Sequence, residues 1–139
     1  MAEKIKLYNV GLNKVLDLLY LSSTAYIQLR NNATTKESKT LLTNIANRRE
    51  QLAQEIEGVM TQNGIQIDKR TWSSSIRAFP PRSKNVDAKS QFETIDKQLL
   101  DEYDQVAAFS EATDELIDLF DNHRSNILAD LKELSGKVN

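Results

Sequence analysis

Residues 41–59 read LLTNIANRREQLAQEIEGV, and this stretch decides the fold class. Its apolar side chains recur three and four positions apart, which is the spacing of one face of an α-helix. The face consists of Leu41 or Leu42, Ile45, Leu52, Ile56 and Val59, with Arg49 as its polar member. Thr34 followed by Glu37 fits a capping box, and Gly64 suits the end of a helix. We therefore predict a helix over about residues 35–63.

Three further stretches show the same helical spacing, at about residues 6–31, 87–111 and 113–135. No alternating β-branched run exceeds four residues, so strands are not expected. A chain of 139 residues is long enough to bury one sizeable core. The sequence therefore predicts an all-α fold, a four-helix bundle formed by residues 1–139 as a single domain.

The connections between the predicted helices indicate the topology of the bundle. The first and third connections are very short, so each should join two helices into an antiparallel hairpin. The second connection covers residues 64–86, and its 23 residues are enough to run the length of the bundle. One long crossover between two hairpins is the ferritin-like connection, which we expect here.

The predicted crossover has features of its own. A short helix at about residues 71–79 would place Trp72 and Phe79 on one face. In one interpretation this face packs onto the bundle as a lid. In the other, Trp72, Arg77, Phe79 and Arg82 form a surface for a protein partner. The crossover is basic, but the isoelectric point of about 5.5 argues against nucleic-acid binding.

Composition excludes several classes of site. The chain has no cysteine, so a disulfide framework, a thiolate metal site and a cysteine nucleophile are excluded. Its one histidine, His123, excludes sites that need two imidazoles from one chain. The apolar stretch from Val15 to Leu21 contains Asp17 and is too short to span a membrane. We expect a cytoplasmic protein.

Each predicted helix has a polar interruption near the middle of its apolar face. The interruptions are Ser22 or Ser23, Arg48 or Arg49, Glu102 or Tyr103, and His123 or Arg124. In an antiparallel bundle they should meet at one level, and buried polar groups are costly unless they satisfy one another. The sequence therefore predicts a polar mid-bundle layer of Ser23, Arg49, Glu102, Tyr103 and His123.

The same level is where ferritin-like di-metal proteins hold their ions, with one glutamate from each of two helices and Glu-x-x-His from the others. Here the first helix offers Ser23, and the second offers Arg48, whose guanidinium repels a metal ion. Only Glu102 and His123 remain as candidate ligands for iron or manganese. A complete di-metal centre is not expected, and we predict that the protein has no cofactor.

Two segments resemble a known family. Residues 47–56, NRREQLAQEI, are similar to the second-helix pattern Gln-Arg-x-x-Phe-Ala-x-Glu-Leu of bacterial ferritin-like four-helix-bundle proteins of unknown function, some grouped as stress-associated. The segment from Leu100 to Phe109 resembles the third-helix pattern of that family, with Glu102-Tyr103 in place of Gly-Glu. The resemblance implies the ferritin-like fold and a bacterial, cytoplasmic setting.

These observations lead to two functional expectations. The first is a non-catalytic structural or partner-binding bundle with a degenerate metal site, acting on an unknown protein partner or as a homodimer. The alternative is a di-iron or manganese oxidase, or an iron-binding protein, that uses Glu102 and His123. No phosphate-binding loop, nucleophile elbow or EF-hand loop is present in the sequence.

Overall fold

A computed structural model describes residues 2–68 and 88–137 of the chain. It contains four α-helices, numbered here in chain order: α1 (Ala2–Asn31), α2 (Lys36–Gln62), α3 (Ala88–Ala107) and α4 (Asp114–Lys137). No β-strand occurs within these two ranges, so the predicted all-α fold with four helices is confirmed for them. The predicted short helix at 71–79, with Trp72, Arg77, Phe79 and Arg82, lies outside the described residues.

The helix bounds differ from the sequence prediction mainly in α1 and α3. Helix α1 begins at Ala2 rather than near residue 6, and α3 ends at Ala107 rather than near residue 111. The backbone turns tightly after α3, where the Phe109 amide donates to the Val106 carbonyl at 3.1 Å. The Phe109 ring lies 6.0 Å from the Tyr8 ring, so it reaches the core from the turn.

Helix α2 is closed at both ends by local hydrogen bonds. Thr35 is the N-cap, one residue later than predicted, and its hydroxyl accepts from the Ser38 amide at 3.1 Å. At the other end Gly64 has a φ of 68°, a left-handed conformation that favours glycine. The Ile65 amide then donates to the Met60 carbonyl at 2.8 Å, which is the closing bond of a Schellman motif.

The helices bury two apolar clusters, and each helix contributes to both. Helix α1 contacts α2 and α3, and α4 contacts the same two helices. The larger cluster draws on residues 8–19 of α1, 52–60 of α2, 99–106 of α3 and 116–127 of α4. The smaller one draws on residues 25–26, 41–46, 95 and 134. Buried polar side chains lie between the two clusters, and they form the site described below.

Helices α1 and α3 approach each other closely at Gly11. A Cβ atom added there would lie 2.8 Å from Cγ2 of Val106, a distance that real Cβ contacts do not adopt. Gly58, on the exposed side of α2, has open space around the same position. The two glycines are therefore a matched pair, since one is required by packing and the other is not.

We expect Gly58→Ala to raise the free energy of unfolding by about 0.5–1 kcal/mol, because alanine loses less backbone entropy in a helix. Gly11→Ala should lower it instead, because overpacking against buried Val106 costs about 1–3 kcal/mol and exceeds the helix-propensity gain. Urea unfolding followed by circular dichroism measures both changes. Equal stabilisation by the two substitutions would contradict the close approach of α1 and α3.

Candidate functional site

Arg49 is the centre of the polar region between the two apolar clusters. Its side chain is 0% exposed, although arginine is rarely fully buried unless paired. Its Nη1 donates to Asp130 at 2.7 Å, its Nη2 to Asp96 at 3.3 Å and its Nε to the Ser22 hydroxyl at 3.2 Å. The guanidinium thus joins α1, α3 and α4 from its own position on α2.

Asp96 is the most enclosed carboxylate of this group, with a side chain that is also 0% exposed. It accepts from the Ser22 hydroxyl at 2.7 Å and from the Tyr26 hydroxyl at 2.5 Å, in addition to Arg49. The Tyr26 ring lies 5.3 Å from the Arg49 guanidinium carbon, within the range of a cation–π contact. The three side chains that donate to Asp96 therefore belong to α1 and α2.

Asp130 also forms an ion pair with a second arginine, Arg48. Arg48 donates to it through Nη2 at 2.6 Å and Nε at 3.1 Å, and the Arg48 side chain is partly open to solvent. The two arginines and two aspartates balance in formal charge. We call the six side chains that meet here the Arg49 layer: Ser22, Tyr26, Arg48, Arg49, Asp96 and Asp130.

The Arg49 guanidinium keeps its charge despite burial. Burial alone lowers the pKa of Arg49, but Asp96, Tyr26 and Asp130 raise it further than burial lowers it. Arg49 is therefore a permanent cation. Burial, followed by the neighbouring Asp96 charge, raises the pKa of Tyr26, so its hydroxyl stays protonated and donates.

A second polar chain lies beside the layer. The Tyr103 hydroxyl and His123 Nδ1 are 2.8 Å apart, and His123 Nε2 is 2.8 Å from Oε2 of Glu55. Tyr103 and His123 are fully buried, whereas the Glu55 side chain is 50% exposed. We call these three residues the His123 chain. It runs from the core of α3, through α4, to the surface of α2.

The electrostatics of the His123 chain select one tautomer. Burial lowers the pKa of His123 despite the opposing effect of Glu55, so the ring is neutral at pH 7. A carboxylate can only accept, so Nε2 carries the proton and donates to Glu55. Nδ1 is then an acceptor for Tyr103, whose pKa is raised chiefly by burial. Tyr103 therefore donates to His123, which donates to Glu55.

The depressed pKa of His123 predicts a pH dependence of stability. His123 has a reference pKa of 6.5 in the unfolded chain and a lower one in the fold. As pH falls through 6.5, the unfolded chain gains a proton that the fold resists, so stability is lost. The loss is at most about 1.4 kcal/mol per pH unit and stops below the folded pKa.

Urea unfolding of the native chain and of His123→Gln between pH 5 and 8 measures this effect. Glutamine does not titrate, so the difference between the two curves isolates histidine from the carboxylates. We expect the native chain to lose more stability than His123→Gln below pH 6.5. Parallel curves would show that His123 does not resist protonation in the fold.

The five residues predicted for the mid-bundle layer fall into separate places. Arg49 lies in the Arg49 layer, and Tyr103 and His123 lie in the His123 chain. Ser23 instead donates to the Ala46 carbonyl at 3.0 Å, while its neighbour Ser22 enters the layer. Glu102 is buried but pairs with Lys14 at 3.5 Å, at the α1–α3 contact. The five side chains therefore do not share one hydrogen-bonded group: only Tyr103 and His123 bond to each other.

The carboxylates that complete both groups, Asp96, Asp130 and Glu55, were not among the predicted site residues. Asp96 lies three residues before Leu99, and Asp130 lies three residues after Ile127, so both have core-facing spacing. Leu131, four residues after Ile127, has the same spacing and is apolar, but it is only partly buried. That spacing could have identified Asp96 and Asp130 as core residues from the sequence. Glu55 offered no such signal, since it lies on a polar stretch of α2 and is half exposed.

The candidate metal ligands do not converge. Glu102 pairs with Lys14, and both ring nitrogens of His123 already have partners. Within the described parts of the chain, no group of three or more histidine, aspartate or glutamate side chains is arranged to hold a metal ion. Iron or manganese bound through Glu102 and His123 stays a prediction.

An open groove lies at the turn between α1 and α2, away from both polar groups. Its volume is about 1010 Å³, and its lining includes Leu29, Leu41, Thr35 and Glu133. Its apolar lining residues lie near the end of α1, in the turn and near the start of α2, and are Leu29, Ala33, Leu41 and Leu42. Because no member of the Arg49 layer or the His123 chain lines it, the groove gives no access to either group.

No family model, curated protein or solved structure shows a significant match to the chain. None of the described helices carries an apolar stretch long enough to cross a membrane. The functional interpretation therefore depends on the geometry of the Arg49 layer and the His123 chain.

Proposed function

We propose that this protein is a ferritin-like four-helix bundle without catalytic activity, which acts as a structural or partner-binding element in the bacterial cytoplasm. The observation that carries the proposal is the buried Arg49 guanidinium between Asp96 and Asp130. In ferritin-like di-metal proteins, carboxylates at mid-bundle hold metal cations. Here the Arg49 guanidinium, rather than a metal ion, lies between the two carboxylates, which fits a degenerate metal site.

The order of contacts along the helices supports two antiparallel hairpins. Between α1 and α2, Tyr20 donates to Glu57 and Ser23 donates to the Ala46 carbonyl. Between α1 and α3, Gly11 lies opposite Val106 and Ser22 bonds to Asp96. Between α2 and α4, Arg49 bonds to Asp130, while Glu55, further along α2, bonds to His123, which comes earlier in α4. In each of these three pairs, residue numbers rise on one helix as they fall on the other, which supports opposite directions. Since α1 is then opposite to α2 and α3, and α4 is opposite to α2, helices α3 and α4 would also be opposite, as two hairpins require.

The start of the connection after α2 supports a long crossover. The Asn13 amide donates to the Gln66 carbonyl at 3.0 Å and accepts from the Asp68 amide at 2.7 Å. Residues 66–68 therefore lie against Asn13 of α1 rather than turning directly into α3. Such a path fits a connection that traverses the bundle before α3 begins at Ala88.

The charge balance of the layer supports a site closed to metal. Two positive guanidinium groups already neutralise Asp96 and Asp130, and a divalent cation placed there would meet Arg49 directly. A metal ion would also need open coordination positions, whereas both carboxylates accept several hydrogen bonds from the chain. The proposal therefore places no iron or manganese at mid-bundle.

Helix α1 exposes two apolar side chains, Leu7 and Val10. Their exposure supports a surface that is covered by a partner protein or by a second copy of the chain. Leu7 and Val10 lie one helical turn apart and are 58% and 56% exposed. Light scattering of the native chain and of Val10→Glu tests self-association. A mass that is larger in the native chain than in Val10→Glu would support a homodimer through this face, whereas equal monomeric masses would leave only a different partner.

Metal loading tests the proposal as a whole. The purified chain is incubated with Fe²⁺ or Mn²⁺ in air, desalted and analysed for metal, beside a His123→Ala variant. We expect well under one ion per chain, no oxygen consumption above the metal-only control, and no change in melting temperature with a chelator. One or two ions per chain that are lost in His123→Ala would overturn the proposal in favour of the oxidase or iron-binding alternative.

A further inference from the structure

The His123 chain joins a buried phenol to the surface through one imidazole. We propose that it is a redox site, at which an outer-sphere one-electron oxidant removes an electron from Tyr103 while the phenolic proton moves to His123. The supporting observations are the two 2.8 Å contacts of the His123 ring and the half-exposed Glu55 at its outer end. This proposal goes beyond the proposed function and requires no metal.

The step balances in protons and electrons. The O–H bond of Tyr103 breaks and an N–H bond forms at His123 Nδ1, while the Nε2 proton passes to the Glu55 carboxylate. The oxidant gains the one electron that the phenol loses. The products are a neutral phenoxyl radical, a neutral imidazole in its other tautomer and a protonated Glu55.

This route leaves no new charge in the core. Oxidation of a buried phenol without proton loss would create an unpaired buried cation, which is costly. In the His123 chain, both buried members begin and end neutral, and the charge changes only at Glu55, where solvent reaches the carboxylate. Two hydrogen bonds in series are sufficient, because imidazole can release a proton from one nitrogen as it takes one at the other.

Tyr26 shows that burial and a carboxylate acceptor are not sufficient for such a site. Tyr26 is also buried and donates to a carboxylate, Asp96, but that carboxylate is fully buried and pairs with Arg49. A proton moved to Asp96 would remove part of the charge that compensates Arg49. The Arg49 cation, 5.3 Å from the Tyr26 ring, also opposes the loss of an electron there.

Tyrosyl radical formation tests the assignment to Tyr103. The test uses the full chain with Trp72→Phe, which removes the competing indole, and ruthenium(III) tris(bipyridine) generated by light as the oxidant. Electron paramagnetic resonance of frozen samples detects the radical. We expect a tyrosyl signal that disappears with Tyr103→Phe and persists with Tyr20→Phe, whose hydroxyl bonds directly to Glu57. Loss of the signal with Tyr20→Phe, or its persistence in Tyr103→Phe, would overturn the assignment.

Two further variants test the path of the proton. His123→Gln and Glu55→Gln should each lower the radical yield by at least about tenfold, because each removes a proton acceptor. Formation in D₂O should be slower in the parent chain but not in His123→Gln. Glu55 is half exposed, so we expect Glu55→Gln to keep the fold and to decide the test even if His123→Gln does not fold. An unchanged radical yield in Glu55→Gln would contradict the proposed proton path. Tyr103 would then be only a structural hydrogen-bond donor to His123.

Discussion

Arg49→Met is expected to lower the free energy of unfolding by about 3–5 kcal/mol, because removing one partner of a buried ion pair leaves uncompensated charge. Methionine keeps most of the side-chain length, so the effect comes from charge and hydrogen bonds rather than from a large cavity. The substitution leaves Asp96 with only the Ser22 and Tyr26 hydroxyls as donors. Urea unfolding at pH 7 measures the change.

Arg48→Met is the matched control, because the two arginines are neighbours and both bond to Asp130. The Arg48 side chain is partly exposed, and Arg49 still pairs with Asp130 when it is removed. A partly solvated ion pair contributes about 1 kcal/mol or less, so we expect a small loss. Similar losses in the two variants would show that burial of Arg49 does not decide its contribution.

Asp96→Asn is expected to lower the free energy of unfolding by about 3 kcal/mol or more, although it changes no side-chain volume. Asparagine removes the negative charge beside Arg49 and brings an NH₂ group among three donors, which are Arg49, Ser22 and Tyr26. At least one of these donors is then left without an acceptor in a fully buried site.

Asp104→Asn provides the surface comparison on the same helix. Asp104 pairs with Arg124 at 3.2 Å, and both side chains are substantially exposed. We expect a loss of about 0–1 kcal/mol, as for other exposed ion pairs. Thermal and urea unfolding of both asparagine variants, with circular dichroism to verify helicity, gives the comparison. If the free energies of unfolding of Asp96→Asn and Asp104→Asn differed by less than about 1 kcal/mol, the Arg49 layer would not be the ion-paired core described above.

The position of the Arg49 layer between the two apolar clusters suggests what it contributes to the fold. Apolar faces alone allow neighbouring helices to slide or rotate, since one leucine replaces another at little cost. The N–H groups of a buried guanidinium need acceptors at fixed positions, so only one alignment of the helices satisfies them. We therefore expect the layer to specify how the helices align, a role that buried polar groups have in some other helical proteins.

Helical periodicity is a local property of the chain, so the sequence alone predicted the four helices and a polar interruption at Arg48 or Arg49 and at His123 or Arg124. It could not decide between Ser22 and Ser23, since adjacent residues on a helix point about 100° apart. Only the tertiary structure assigned Asp96 and Asp130 to Arg49, and Glu102 to Lys14. Those pairings depend on the rotation of each helix against its neighbours, which no single stretch of sequence contains.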